Sequence, residues 1–253
     1  MTLSDAALER YARHIVLHDI GGAGQMALCK AKVLVIGAGG IGSPAIQYLA
    51  AAGVGTLVIV DDDLVSLSNL QRQTLYTDAD IGQPKAEVAA SRVRAMNAGV
   101  TAIAVTTRVT SEEMPALLEG TDVVIDGSDN FATRLAVADA ANAAHVPLVS
   151  AAIAQFHGQV GIFRGWEADK PCYRCFVGDA HDADDCDSCA ELGVLGAMVG
   201  MIGSMAAMEA IRVITGFGSD QAGKLQVIDG LDITMRAIRL PKDPGCSTCG
   251  TKT

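Results

Sequence analysis

One short stretch limits the folds open to this chain more than any other: Val33-Leu-Val-Ile-Gly37-Ala-Gly39-Gly-Ile-Gly42. The apolar run reads as a buried strand, the glycines Gly37, Gly39 and Gly42 follow it directly, and a helical pattern runs from Ser43 to Ala52. Strand, glycine turn and helix together are the setting in which G-x-G-x-x-G has physical meaning. The first glycine permits a tight turn, the second lets a phosphate approach the backbone, and the third lets the helix pack close to the strand. The new helix points free N–H groups and the positive end of its dipole at an arriving anion. The segment is therefore read as a nucleotide phosphate site, with a plain strand-to-helix turn as the alternative.

The rest of the chain supplies repeated βαβα units. Leu3 to Leu17 reads as a helix broken by Gly21-Gly-Ala-Gly24, and Met26 to Ala31 as a short second helix. Strands are expected at Thr56–Val60, Thr101–Thr107, Asp122–Ile125 and Pro147–Ala152. Helices are expected at Gln83–Asn97, from an N-cap at Ser111 to Leu118, and at Phe131–Ala144. This is the pattern of a Rossmann-like, doubly wound, mainly parallel α/β sheet. After Gly158–Phe163 the periodicity lapses from Gly165 to Glu191. A long helix from Leu192 to Thr215 and a terminal pair of antiparallel strands, Lys224–Asp229 and Ile233–Leu240, follow. The expectation is one domain over residues 1–253: helices in 1–30, a nucleotide-binding core in 31–155, and a crossing loop with a metal-pinned C-terminal part in 156–253.

Charge and composition exclude some partners. A formal net charge of -10 disfavours non-specific binding to nucleic acid or to an anionic membrane. Met1 to Arg10 has no apolar core of a signal peptide, so a cytoplasmic setting is expected. The uncharged run Leu192–Met208 is rich in Gly, Ala and Ser, and reads as a buried helix at a core or subunit contact rather than a membrane span.

Seven cysteines without an export signal favour metal or thiol chemistry over disulfides. Cys172-Tyr-Arg-Cys175 and Cys246-Ser-Thr-Cys249 are C-x-x-C pairs that can supply four thiolates to one tetrahedral zinc. Such a site has no open position, so its role would be structural. A redox pair is the alternative. Cys189 directly precedes the long helix, where a thiol pKa falls, and is a candidate nucleophile; the acidic run Asp182–Asp187 opposes that, and a Cys186–Cys189 pair is a further option.

Acidic and basic residues collect at the predicted carboxyl ends of the strands. Asp61 stands 19 positions after Gly42, where a carboxylate takes ribose hydroxyls, and Asp63 would support that loop. Arg72 and Lys85 are cations of the kind triphosphate chemistry needs. Asp126 and Asp129 follow the fourth strand; a carboxylate there could hold Mg²⁺ against phosphates, or Asp129 could cap the next helix. The five histidines fall in no metal or triad spacing.

Taken together, these motifs make the chain similar to the MoeB/ThiF group, bacterial relatives of ubiquitin-activating enzymes. The resemblance covers nearly the whole length. It rests on Arg10-Tyr-Ala-Arg13-His14, the glycine turn, Ser68-Asn-Leu-Gln-Arg-Gln73, Gly82-Gln-Pro-Lys85, Asp126-Gly-Ser-Asp129-Asn130, the two C-x-x-C pairs and Cys189-Ala-Glu-Leu-Gly193. It implies ATP-dependent adenylation of the C-terminal Gly-Gly carboxylate of a small ubiquitin-like sulfur carrier, MoaD-like or ThiS-like. It further implies Gly39 near the phosphates, Asp61 on the ribose, Arg72 and Lys85 on the phosphates with Asn69 assisting, and Asp129 on Mg²⁺ with Asn130 beside it. By the same resemblance, Arg13 reaches the site of the other subunit of a homodimer, and Cys172, Cys175, Cys246 and Cys249 bind Zn²⁺. Cys189 matches the cysteine that takes the activated carrier in some members. With no extension after Thr253, sulfur is expected from a separate sulfurtransferase or cysteine desulfurase. Molybdopterin synthesis is the favoured pathway, with thiamine synthesis and tRNA thiolation as alternatives. Of other classes, an NAD-dependent oxidoreductase, a tRNA-adenylating cousin and a zinc-stabilised adaptor compete; Arg72, Lys85 and Asp129 weigh against the first and last.

Overall fold

The computed structural model describes residues 3–178 and 193–250. At its centre are five parallel strands: β1 (Lys32–Ile36), β2 (Thr56–Val60), β3 (Thr101–Val105), β4 (Val123–Asp126) and β5 (Leu148–Ala154). The sheet continues antiparallel through β6 (His157–Phe163), β7 (Lys224–Asp229) and β8 (Thr234–Arg239), in the order β3-β2-β1-β4-β5-β6-β7-β8. The Rossmann-like, mainly parallel sheet expected from the sequence is present. Its antiparallel part begins two connections earlier than the expected terminal pair, at β5–β6. Ala154 pairs with His157, so only Gln155 and Phe156 join these strands, too few for the crossover that parallel pairing needs.

Helices cover both faces. α1 (Asp5–Arg10), α2 (Ala12–Ile15), α3 (Gly21–Lys30), α4 (Gly42–Ala52) and α5 (Lys85–Met96) precede β3. α6 (Met114–Leu118), α7 (Phe131–Ala143), α8 (Tyr173–Val177) and α9 (Gly196–Thr215) follow it. Val33, Val35, Leu57, Ile59 and Ile125 pack towards α4, α5 and α9. Their neighbours Leu34, Ile36, Val58, Val60 and Val124 pack towards α6, α7 and α8. A strand buried on both faces has no polar side, which is why these segments read as unbroken apolar runs.

The helix expected over Leu3–Leu17 is split at Tyr11. That side chain turns inward against Gly53, where a Cβ would stand 2.3 Å from the ring, and its hydroxyl accepts a bond from Asn97 Nδ2 at 2.9 Å. The glycines expected to break the chain at 21–24 instead form the first turns of α3. A Cβ at Gly24 would stand 3.0 Å from Ile20 and 3.5 Å from Thr215, so small residues here let α3 approach the end of α9. Ser111 is not a cap; α6 begins at Met114 behind Glu113, with proline in its first turn.

Among the described residues α9 is the one helix long and apolar enough to cross a membrane. In this fold it is a core helix: Val199, Ile202, Ala206, Ala207 and Ala210 are buried. Its small residues set the distance. A Cβ at Gly203 would stand 2.3 Å from the Ile41 carbonyl oxygen. A Cβ on Gly40, in the turn after β1, would reach Val199 at 2.6 Å.

The tightest approach is within that turn. A Cβ on Gly42 would lie 1.9 Å from the carbonyl oxygen of Gly37, which itself adopts φ +85. Gly42→Ala must push α4 off the turn and is expected to cost about 1–3 kcal/mol, as overpacking of a filled core does. A lowered urea midpoint at unchanged slope checks this.

Candidate nucleotide site and metal centre

The turns after β1 and β4 meet at the carboxyl edge of the sheet, where the strand order reverses. Open α/β sheets bind ligands in such a crevice. The two turns are in contact: a Cβ on Gly37 would stand 3.2 Å from the carbonyl oxygen of Gly127. Around them is a cavity of about 550 Å³.

The glycine turn is held from several sides. Asp61 Oδ2 accepts from the Ala38 N–H at 2.7 Å, and Asp61 Oδ1 accepts from the Asp63 N–H at 2.9 Å. Tyr76 Oη donates to the Ala38 carbonyl at 2.8 Å, and Ser43 Oγ donates to the same oxygen at 3.2 Å. Burial pushes the Asp61 carboxyl above its ordinary pKa, while the charge of Lys85 pulls it down. Lys85 is itself buried, at 4% exposure, and its Nζ is 2.7 Å from Asp63 Oδ2. Arg72 follows a short 3-10 turn, Leu67–Asn69, and donates through Nη1 to the Ser68 carbonyl at 3.0 Å.

On the other side, Asn130 caps α7 by accepting from the Thr133 N–H at 2.8 Å. Asp129 is therefore not the cap. Asp129 lines the cavity beside Arg134, whose guanidinium its charge favours, and no hydrogen bond joins it to another described residue. That leaves it suited in chemistry and position to a hard cation.

Gly37, Gly39, Asp61, Asp63, Arg72 and Lys85 share this cavity with Asp129 and Asn130. Three expected residues do not line it. Gly42 lies behind the turn as a packing residue. Asn69 spends its carbonyl on the N–H groups of Arg72 and Gln73. Arg13 is exposed on α2. Cys189 and Cys186 lie outside the described residues.

The second centre is the cysteine cluster. The sulfurs of Cys172, Cys175, Cys246 and Cys249 all lie within 4.8 Å of one another. Cys172 Sγ is 3.9 Å from Cys175 Sγ and 3.5 Å from Cys246 Sγ, and Cys175 Sγ is 3.3 Å from Cys249 Sγ. Thiolates at about 2.3 Å from a tetrahedral zinc stand about 3.8 Å apart, so the cluster fits such an ion. Burial pushes the Cys175 thiol up to about 11. Metal uptake here must displace protons.

A family model described as the ThiF family matches residues 11–248. The SAMP-activating enzyme E1 of Haloferax volcanii is 44% identical over 99% of this chain and 92% of its own. The molybdopterin-synthase adenylyltransferase of Escherichia coli is 41% identical, over 98% of each chain. The chain belongs to the ThiF family. A crystal structure of E. coli MccB with ATP shares the fold of this ThiF-family chain at a TM-score of 0.82. It covers 95% of this chain and 74% of its own, at 22% identity. The ThiF-family chain is an adenylyltransferase of the MoeB/ThiF type.

Sequence reasoning missed several residues of this ThiF-family cavity. Arg134 lines it from α7, and Arg108 and Gln73 line it from loops. Gln73 closes the Ser68–Gln73 motif, and its Oε1 is buried without a partner. Arg134 carried a usable signal, a lone cation inside an otherwise uncharged helix start. Arg108 carried none.

Tyr76→Phe removes one of two donors to the Ala38 carbonyl. A loss of about 1 kcal/mol in unfolding free energy is expected, the net worth of one buried hydrogen bond. Urea denaturation at constant pH measures it.

Proposed function

We propose that this chain adenylates the C-terminal Gly-Gly carboxylate of a small ubiquitin-like sulfur carrier at the expense of ATP. One observation carries the reading: the glycine turn, Arg72, Lys85 and Asp129 meet in one cavity at the strand-order reversal. The names of the relatives, an activating enzyme and adenylyltransferases, supply the reaction class.

In this reading the turn and the start of α4 receive the phosphates, and Asp61 takes the ribose. An oxygen of the carrier's carboxylate attacks the α-phosphorus of ATP. A new C(O)–O–P bond forms as the bond from the α-phosphorus to the bridging oxygen breaks, and pyrophosphate leaves with that electron pair. The attacking carboxylate is ionised at neutral pH, so no protein base is needed. The work left to the enzyme is positioning and charge stabilisation. Arg72 and Lys85 neutralise the phosphoryl oxygens. Lys85 is already fixed by Asp63, so little reorganisation precedes the reaction. Asp129 would hold Mg²⁺, which when bound offsets negative charge on the phosphates.

The same reading makes the four cysteines a structural zinc site and the molecule a homodimer, with Arg13 offered to the partner's cavity. Val16 and Leu17, exposed apolar residues close by on the same segment, are consistent with a covered surface there. A MoaD-like carrier is our first choice of substrate, with ThiS-like and tRNA-thiolation carriers as the alternatives. A cysteine desulfurase or sulfurtransferase would supply the sulfur.

Carrier-dependent exchange of labelled pyrophosphate into ATP tests the reaction. Purified carriers of each pathway, offered in turn, identify the substrate; exchange without any carrier, or none with every carrier, overturns the proposal. Lys85→Ala is expected to lower the exchange kcat about 100- to 1000-fold, as loss of one preorganised charge-stabilising donor does. Asp129→Ala should abolish exchange while circular dichroism and metal content stay unchanged, and a wild-type rate would remove Asp129 from the reaction. Atomic emission should find one zinc per chain. Cys246→Ser should lose it and show a lower Tm, as expected when a metal that ties two distant segments is removed.

A further inference from the structure

At the β4 end of the cavity lies a charged pair that the proposed reaction does not use, with Arg134 lining the cavity and Asp126 buried behind it. Asp126, the last residue of β4, is 1% exposed. Its Oδ1 accepts from both the N–H of Ser128, at 3.0 Å, and the Ser128 hydroxyl, at 2.7 Å. Its Oδ2 is buried with no hydrogen-bond partner among the described residues and faces Arg134 Nη1 at 3.8 Å. Arg134 Nη2 donates to the Ser128 carbonyl and, at 2.9 Å, to the Ala151 carbonyl on β5. Its Nη1 reaches Ser150 Oγ at 3.4 Å.

Ser128 is therefore gripped at its N–H, its hydroxyl and its carbonyl. The next residue is Asp129, and Asn130 after it is fixed as the cap of α7. A carboxylate on an exposed loop would ordinarily sample many positions. Here Ser128 on one side is tied to a strand end and a buried guanidinium, and Asn130 on the other to the first turn of α7. The charges of Asp126 and Arg134 offset each other, which lets both remain in a dry site.

We propose that Asp126 and Arg134 are positioning residues that hold Asp129 in place to receive the divalent cation accompanying ATP. This rests on the proposed role of Asp129. Outer-shell groups of this kind orient a metal-binding carboxylate without touching the metal.

The test is direct cation binding, read without turnover. Mn²⁺ is titrated by electron paramagnetic resonance into protein saturated with a non-hydrolysable ATP analogue. Asp126→Asn keeps the shape of the side chain and should weaken Mn²⁺ binding about 10- to 100-fold, the usual effect of losing an outer-shell partner. Affinity for the metal-free analogue and zinc content should not change. A merely structural role would lower Tm and move all three together. Arg134→Lys, which keeps the charge but loses the forked donors, should fall between wild type and Arg134→Gln. If Asp126→Asn does not fold, the neutral pair Asp126→Asn with Arg134→Gln leaves no unmatched buried charge and carries the same expectation. Asp129→Asn is the reference. Wild-type Mn²⁺ affinity in Asp126→Asn with loss in Asp129→Asn overturns the positioning role alone. Wild-type affinity in both overturns the assignment of the cation to Asp129, and the frame with it.

Discussion

The carbonyl of Gly37 faces the α-carbon of Gly42 so closely that no side chain fits between them, and the site is built outward from that approach. Because α4 starts against the turn rather than beyond it, its free N–H groups are aimed over the end of β1 and into the crevice. The same closeness exposes the Ala38 peptide, which three side chains then secure: Asp61 at its N–H, Tyr76 and Ser43 at the carbonyl. A backbone cradle for phosphate is stiff only if its own polar groups are already committed. Here the Ala38 peptide is so committed, to Asp61, Tyr76 and Ser43.

Contact between the turns after β1 and β4 makes the two halves of the crevice interdependent. Gly127 admits Ile41 at a distance where a Cβ would be 3.1 Å from its side chain. α9 closes the third side, with Val199 on Gly40 and Gly203 on the Ile41 carbonyl. The small residues of α9 are thus spent on the glycine turn and α4, and its apolar composition reflects burial rather than lipid. Lys85 illustrates how charge is handled in this setting. It is almost fully buried, and Asp63, mostly exposed at 68%, holds its Nζ at 2.7 Å at the cavity wall. A lysine held by an exposed acid can meet a phosphate without first being dragged out of bulk water.

The parallel strands and the helices between them were legible because each is buried on a periodic face, and a strand covered on both sides has nowhere to hide a polar residue. β2 was read to the residue for that reason. The N-terminal helices were not, because the break at Tyr11 is tertiary: the ring needs the hollow above Gly53, 42 residues away in sequence. Gly24 of α3 misled because its role is close packing against Ile20 and Thr215, the latter a partner that no local pattern reveals. In the site, residues with chemistry at strand ends were legible, since strand ends converge by topology. Arg134 was legible only as a lone cation near the start of α7, and the fold alone turns its buried guanidinium to the crevice. The cysteine spacing was legible because thiolate geometry is nearly independent of fold.

The cysteine cluster and the cavity at the sheet edge are not separate devices, for α7 serves both. Arg174, between Cys172 and Cys175, makes a forked pair with Asp139 on α7 at 2.7 and 2.8 Å. Thr248, between Cys246 and Cys249, donates to the same carboxylate at 3.2 Å. One side chain thus registers both cysteine pairs on a single helix. The first turn of that helix carries Asn130 and Arg134, and α8 brings Tyr173 and Phe176 to the cavity wall directly beside Cys172 and Cys175. A metal held by the four cysteines would tie α8 and the C-terminal cysteine pair to one point beside those walls. Through Asp139, α7 thus ties the C-terminal cysteine pair to the same α8 that brings Tyr173 and Phe176 to the cavity wall.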